Sequence, residues 1–372
     1  MKRCVGISVT FLLFLSFFLH GKNFKLNQKK GIWQDKEEKH IEFVSFERIN
    51  LDFEKVPLKK VMKVTLHKSN IFILDGKRNE LYVMDKNGKY LYTIGRPGQG
   101  PGDIEFGCDF YISEYEKIYV LSSFSKRIEV FDIKGKPLSS IKLKPPDVWM
   151  SAKSILLNQN NNFIIGSSYD RIIATYSIKG DFIKTVLKHD DLEMISKSQI
   201  GINTKLCFID NKILLFDAFR GIFVKLSMPG DIESVFSGFS YKVTPQAARN
   251  EEQVRSLKTP KGVSRHLNIL SWTNFCVDGS NNIYVMPLGV ESDGNQNLFV
   301  FSLHGTLLYK KPMDFFKKNK VRHICCDSDH FLFMTKNFDL IRLCASLEKQ
   351  GNPRKTCYHW NLQEIDILRV CL

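Results

Sequence analysis

The chain is built from a recurring unit of apolar runs separated by polar loops. Each unit has an apolar run, a short polar loop, a second apolar run, a tight turn and a third run in which polar and apolar residues alternate. Short runs of this kind, bounded by turn residues, predict β-strands. The first runs of the six units begin at residues 71, 118, 163, 213, 283 and 331.

A glycine stands in the tight turn of five of the six units. These glycines are Gly88, Gly135, Gly180, Gly230 and Gly305. In DKNGK and DIKGK the glycine occupies the position where a hairpin requires φ > 0. Successive units are 45 to 50 residues apart, except for 70 residues between 213 and 283. The long interval holds an insertion, roughly 238–271. Its middle part, 245–266, contains helix formers and predicts a short helix.

A fourth apolar run precedes each unit from the second onwards. These runs are FYIS (110–113), ILLN (155–158), CFID (207–210), FCVD (275–278) and ICCD (324–327). Six units of four antiparallel strands predict an all-β fold, a six-bladed β-propeller with a short helical insertion between blades 4 and 5. The run HIEFVSFERI (40–49) is expected to pair with the C-terminal blade and close the ring, because pairing removes an exposed sheet edge.

The units resemble the NHL repeat, which has an apolar-Tyr-Val-x-Asp strand, an Arg-Ile strand and an x-x-Gly turn. The segment IGRPGQGPGDIEF (94–106) is similar to the glycine-rich linker of that family, and to bacterial secreted six-bladed propellers. The resemblance implies the propeller fold. It implies little about function, because members of the family do many different things.

The N-terminal segment predicts export. Lys2 and Arg3 precede an uncharged, mostly apolar stretch from Val5 to Leu19. A helix of that stretch is roughly 22 Å long, short of the ~30 Å hydrocarbon core, which favours a secretory signal. No clean cleavage site follows, so an uncleaved membrane anchor is the alternative. We expect a signal peptide or anchor over 1–21, a linker over 22–39, a propeller over 40–372, and a periplasmic or extracellular location.

The net charge of +15 indicates an anionic partner. Export argues against nucleic acid, so the expected partner is an anionic glycan, a peptide or another protein. The alternative is a basic surface that only keeps the protein soluble. The chain is expected to be a monomer.

Propeller topology places the loops between second and third strands on the same face as the connections between blades. On this face the loops are rich in Lys and Arg, and the insertion falls there too. Because loops on a rigid scaffold commonly carry binding, we predict a ligand site on this basic face. The candidate ligand-binding residues are Arg96, Arg127, Arg171, Arg220, Arg265, His266 and Trp272. For Arg127 and Arg171, which match the Arg-Ile position of the repeat, the alternative is local ion pairing.

The glycine-rich segment GRPGQGPG does not predict a phosphate site, because a strand follows it where a phosphate-binding loop needs a helix N-terminus. His323, Cys325 and Cys326 do not predict a metal site, because alternate residues of a strand face opposite ways. Cys276 and Cys325 take an apolar position of the repeat, filled in other blades by Leu156 and Phe208, and are expected to be buried. Cys357 and His359 are too few ligands for a metal site.

The segment from Glu291 to Asn297 has oxygen ligands at alternate positions, as calcium loops do. It lacks the required glycine and distal glutamate, so no cofactor is expected, with calcium as the alternative. The alternative function is a metal-dependent hydrolase or lyase, by analogy with propeller lactonases and amidating lyases that bind a metal in the central channel. Asn274 and His323 are the polar candidates near that channel. The sequence therefore favours a binding module over an enzyme.

Overall fold

The computed structural model describes residues 42–123, 125–144, 152–168, 171–188, 191–192, 204–218, 222–237, 275–286, 297–313, 321–326, 330–335 and 337–346. These residues form twenty-four β-strands and no α-helix. The strands make six antiparallel sheets of four strands each, which confirms the predicted six-bladed propeller. The predicted helix of the insertion, roughly 238–271, lies outside the described residues.

In the first three blades, each sheet is a simple meander of consecutive strands. Blade 1 is β2 (Val61–His67), β3 (Asn70–Asp75), β4 (Glu80–Met84) and β5 (Tyr90–Ile94); blade 2 is β6 (Gly107–Ile112), β7 (Lys117–Ser122), β8 (Arg127–Asp132) and β9 (Pro137–Lys142); blade 3 is β10 (Ala152–Leu157), β11 (Phe163–Ser167), β12 (Arg171–Tyr176) and β13 (Phe182–Lys188).

Blades 4 and 5 are also meanders of consecutive strands, whereas the outer strand of blade 6 comes from the N-terminal part of the chain. Blade 4 is β14 (Thr204–Ile209), β15 (Lys212–Asp217), β16 (Ile222–Leu226) and β17 (Ile232–Ser237); blade 5 is β18 (Cys276–Val277), β19 (Ile283–Val285), β20 (Asn297–Phe301) and β21 (Leu307–Pro312); blade 6 is β22 (Val321–Cys326), β23 (His330–Thr335), β24 (Leu340–Ser346) and β1 (Glu42–Ile49). The first strands of neighbouring blades contact one another all round the ring, so they line its centre.

The ring is closed by β1, which is the outer strand of blade 6. It pairs antiparallel with β24, from Glu42 opposite Ser346 to Ile49 opposite Leu340. An ion pair between Arg342 Nη1 and Glu47 Oε2, at 2.9 Å, adds to the ladder. The predicted pairing of the N-terminal run with the last blade is therefore confirmed, and the last blade has no open edge at β24.

The core lies between the blades. Six buried apolar clusters occur among the described residues, one at each boundary between neighbouring blades. At the boundary of blades 4 and 5, Phe223 stacks on Phe216 with ring centroids 4.4 Å apart and on Phe236 at 5.2 Å. Each buried aromatic side chain contributes about 2–3 kcal/mol, so a blade is stable only against its neighbours.

The turn glycines have a second role besides their backbone angle. Gly180 has φ +87°, and a Cβ placed on it would lie 2.2 Å from the carbonyl oxygen of Lys142. Lys142 ends the outer strand of the preceding blade, and Gly135 meets Ile94 at the end of β5 in the same way. The glycine therefore also permits close packing between blades, which the turn pattern alone does not indicate.

None of the described residues forms a helix with the length and apolarity that crossing a membrane requires.

Candidate functional site

Arg96 holds the linker between blades 1 and 2. Its Nε lies 2.7 Å from Asp103 Oδ1, while Asp103 Oδ2 accepts a hydrogen bond from the backbone N–H of Gly100 at 2.8 Å. The hydrogen bond from Arg96 is the main cause that holds the pKa of Asp103 below its usual value. Both contacts are within the glycine-rich segment, so Arg96 shapes this loop.

Arg127 binds the same linker from blade 2. Its Nη1 donates to the carbonyl oxygen of Gln99 at 2.6 Å, and its Nε lies 3.3 Å from Oε1 of the fully buried Glu129. Glu129 in turn accepts a hydrogen bond from the N–H of Gly102 at 3.1 Å. Local ion pairing, the alternative interpretation of Arg127, is thus present. A role in ligand binding stays a prediction.

The side chains of the other candidate ligand-binding residues on the basic face are not described. Arg171 begins β12, where its backbone pairs with Lys188, and nothing is described of its side chain. Arg220, Arg265, His266 and Trp272 lie outside the described residues.

The inner strands share a polar position near their first residue. In each of five blades, one residue pairs with the penultimate residue of the second strand; these residues are Lys63, Asp109, Ser154, Lys205 and His323. We call these five residues the polar ring. Asn274, the other polar candidate that the sequence predicts near the channel, lies outside the described residues. The start of each inner strand lies beside the end of the second strand, so the ring is near the predicted basic face.

A chain of hydrogen bonds joins the ring across four blades. Lys63 Nζ lies 2.8 Å from Asp109 Oδ1 and donates to the carbonyl oxygen of Phe110 at 2.7 Å. Ser154 Oγ donates to Asp109 Oδ2 at 2.9 Å and accepts from the N–H of Leu206 at 3.0 Å. The Asp109 carboxylate is buried, and it pairs with Lys63 of the neighbouring blade.

Lys205 is the ring member whose charge is not compensated. Among the described residues, no carboxylate forms an ion pair with it. Burial lowers the pKa of Lys205; the cations Lys63 and Lys153 act in the same direction, and Asp109 opposes them. Taken as a whole residue, Lys205 is partly buried. A partly buried ammonium among other cations favours an anionic ligand.

His323 is a neutral member of the ring. Burial lowers the pKa of His323 to about 3, and the cations Lys205 and Arg322 add to this effect. An uncharged imidazole can donate one hydrogen bond and accept another. It therefore adds polarity to the ring without adding to its charge.

The sequence predicts Asn274 and His323 as the polar candidates near the channel, and the structure shows further polar residues on the inner strands. Lys63, Asp109 and Lys205 are polar at the same level. Four inner strands have a register irregularity just before this position, for example between Gly107 and Asp109, whereas β14 has none. A bulge shifts the side chains by one residue, so equal spacing along the sequence does not identify equivalent residues. In the sequence, the polar residue that precedes the apolar part of each of these inner strands was the signal that could have indicated the polar ring.

The cysteines of the inner strands are packed in the core, as expected for Cys276 and Cys325. Their equivalent in blade 4 is Cys207 and not Phe208, because Cys207 follows the ring residue Lys205 by two positions, as Cys325 follows His323. Among the described residues, no group of three His, Cys, Asp or Glu side chains is arranged to hold a metal ion. Most of the segment 291–297, and also Cys357 and His359, lie outside the described residues.

Comparison with known proteins agrees with the fold. A family model described as "6-bladed beta-propeller" matches residues 25–167. A protein of Bacteroides fragilis NCTC 9343 that is described as exported superposes with a TM-score of 0.57 at 14% identity, over 83% of this chain and 96% of its own. A member of the duf4221 family from Bacteroides vulgatus gives a TM-score of 0.52 at 10% identity, over 85% of this chain and 100% of its own.

A streptogramin B lyase is also similar, with a TM-score of 0.49 at 10% identity, over 81% of this chain and 98% of its own; a likeness this weak carries no argument about activity. No curated protein matches the chain significantly. The chain is therefore a six-bladed β-propeller. Its assignment to NHL repeats stays a prediction.

Proposed function

We propose that the protein is an exported binding module that holds an anionic group of its ligand at the polar ring. The proposal depends mainly on Lys205. This residue is partly buried, the charges of Lys63 and Lys153 act on it, and no carboxylate among the described residues forms an ion pair with it. The N-terminal segment supports export, and so does the likeness to a protein described as exported.

The anionic group is a carboxylate, sulfate or phosphate, because each of these accepts charge-assisted hydrogen bonds from lysine. The Asp109 hydrogen bonds hold Lys63 in place, so the ring is formed before the ligand arrives. A preformed site loses less conformational entropy on binding. The ligand that carries the anion is a glycan or a peptide, and the probes below separate the two.

The test is calorimetric titration of the full chain with a sulfated hexasaccharide, an oligogalacturonate and an oligoglutamate, with neutral dextran as the reference. We expect at least one anionic probe to bind and dextran not to bind. K205Q is expected to weaken binding at least ~10-fold, because it removes a charge-assisted hydrogen bond.

The matched control is K212Q in the same blade. Lys212 begins β15, at the opposite end of the sheet from the ring, and its Nζ is paired with Glu233 Oε2 at 2.8 Å. It should bind like the unchanged protein. Equal affinities of K205Q and the unchanged protein would contradict the proposal. Loss of binding in R171E or R220E, with K205Q unaffected, would assign the ligand to the outer loops of the basic face.

A further inference from the structure

At five of the six boundaries between blades, a residue of one inner strand shares an apolar cluster with a residue of the next. The partners come from equivalent register positions and share one apolar cluster. The pairs are Tyr111 with Leu157, Leu156 with Phe208, Cys207 with Val277, Cys276 with Cys326, and Cys325 with Leu66. Among these five pairs, only the one between blades 5 and 6 consists of two thiols.

The two cysteines belong to one cluster. Cys326 packs against the buried apolar cluster that contains Cys276, and both are free cysteines. Cys276 points from β18 towards blade 6, while Cys326 points from β22 back towards blade 5. Cys325, its neighbour in the chain, packs instead into the cluster between blades 6 and 1.

We propose that Cys276 and Cys326 are a modification site: they form a disulfide that joins blades 5 and 6 when the protein meets a small disulfide such as oxidised glutathione. The pair faces across a blade boundary, and the neighbouring pairs at the same level are already filled with apolar side chains. The bond would therefore form within an existing cluster. It would add a covalent link to blade 6, whose ring closure otherwise depends on pairing between β1 and β24.

The order of the chemistry follows from accessibility. Cys276 is buried, and burial raises the pKa of its thiol, whereas Cys326 is partly exposed. The Cys326 thiolate attacks the small disulfide first, forms a mixed disulfide and releases one small thiolate. The Cys276 thiolate then attacks Cys326 Sγ and releases the second. Two protons leave the cysteines, and two electrons reduce the small disulfide to two thiols.

The experiment exposes the reduced full chain to oxidised glutathione, blocks the remaining thiols with an alkylating reagent and maps the peptides by mass spectrometry. We expect a peptide that links Cys276 to Cys326, loss of alkylation at both positions, and a rise in melting temperature of about 5 °C that a reductant reverses. C326S should abolish the linked peptide, with Cys276 left alkylated.

C325S is the matched control, because it removes an adjacent core thiol that faces the other boundary; it should keep the linked peptide. Circular dichroism of each variant verifies folding. Alkylation of both Cys276 and Cys326 in the folded, oxidised protein would overturn the proposal. A link from Cys326 to Cys325 or Cys207 would overturn it as well. Neither result depends on ligand binding at the polar ring.

Discussion

Ser154 Oγ donates a 2.9 Å hydrogen bond to Asp109 Oδ2 across the boundary of blades 2 and 3, and both side chains are buried. The same carboxylate oxygen accepts from the N–H of Ile155 at 3.0 Å, and the other oxygen pairs with Lys63. One carboxylate therefore connects three blades.

Replacing Asp109 by Ala should destabilise the fold by about 3–5 kcal/mol, because it leaves the Lys63 ammonium and three buried donors without their acceptor. Urea unfolding measures the change. The control is D181N, at a carboxylate whose ion pair with Lys144 is exposed, and it should leave the unfolding midpoint nearly unchanged. Equal effects of the two substitutions would contradict this role of Asp109.

Gly180→Ala should destabilise the protein by about 2–4 kcal/mol. The alanine would have to adopt φ near +87°, and its methyl group would lie 2.2 Å from the carbonyl oxygen of Lys142. Gly279→Ala is the matched control, since no atom lies within 4 Å of its added Cβ. Thermal unfolding distinguishes the two. A stable G180A protein would show that blades 2 and 3 are not packed as closely as described.

Arg127→Gln should destabilise the protein and loosen the linker over 94–106. The substitution leaves the buried Glu129 carboxylate without its cation and removes a hydrogen bond to Gln99, at a cost of about 3–5 kcal/mol. Hydrogen exchange of the linker amides should become faster. R96Q should change the unfolding midpoint much less, because the Arg96 side chain is largely exposed. Normal linker protection in R127Q would favour a ligand-binding role for Arg127.

His323 should make the protein less stable in mild acid. Its pKa falls from 6.5 in the unfolded chain to about 3 in the fold. Between these values the unfolded chain binds a proton that the native protein does not bind, so stability falls as the pH is lowered below about 6.5. One proton gives a slope of about 1.4 kcal/mol per pH unit.

Unfolding by urea at pH 7, 6 and 5 measures that slope, and H323N should reduce it. H304N is the control, because His304 lies exposed in the turn before Gly305. Burial also lowers the pKa of His67, so part of the slope should persist in H323N. An unchanged slope in H323N would show that the His323 imidazole is not buried in a neutral form.

Much of the fold was predictable, because it depends on local patterns. Period-two alternation and the turn glycines predict the blades, and the unpaired N-terminal run predicts the closing strand. The inner strand β2 of blade 1 was missed, since it is mixed in character: Lys63 and Thr65 interrupt its apolar residues.

The polar ring was not predictable in the same way. Which residue of an inner strand takes the ring position depends on a bulge that four strands contain and β14 lacks. A bulge is a property of strand pairing, so equal spacing along the sequence does not identify which inner-strand residues are equivalent. The cluster that Cys276 and Cys326 share likewise requires the packing of blade 5 against blade 6.

The closure of blade 6 also determines the order in which the fold can be completed. β1 leaves the ribosome well before its partner β24, which ends at Ser346. Bringing such distant segments together carries a large loop-closure entropy, which slows folding. Until then β1 and β24 each have an unpaired edge, and a chain that stops before β24 cannot complete blade 6. Ring closure is therefore a late step of folding, and only a chain that includes β24 can reach the closed fold.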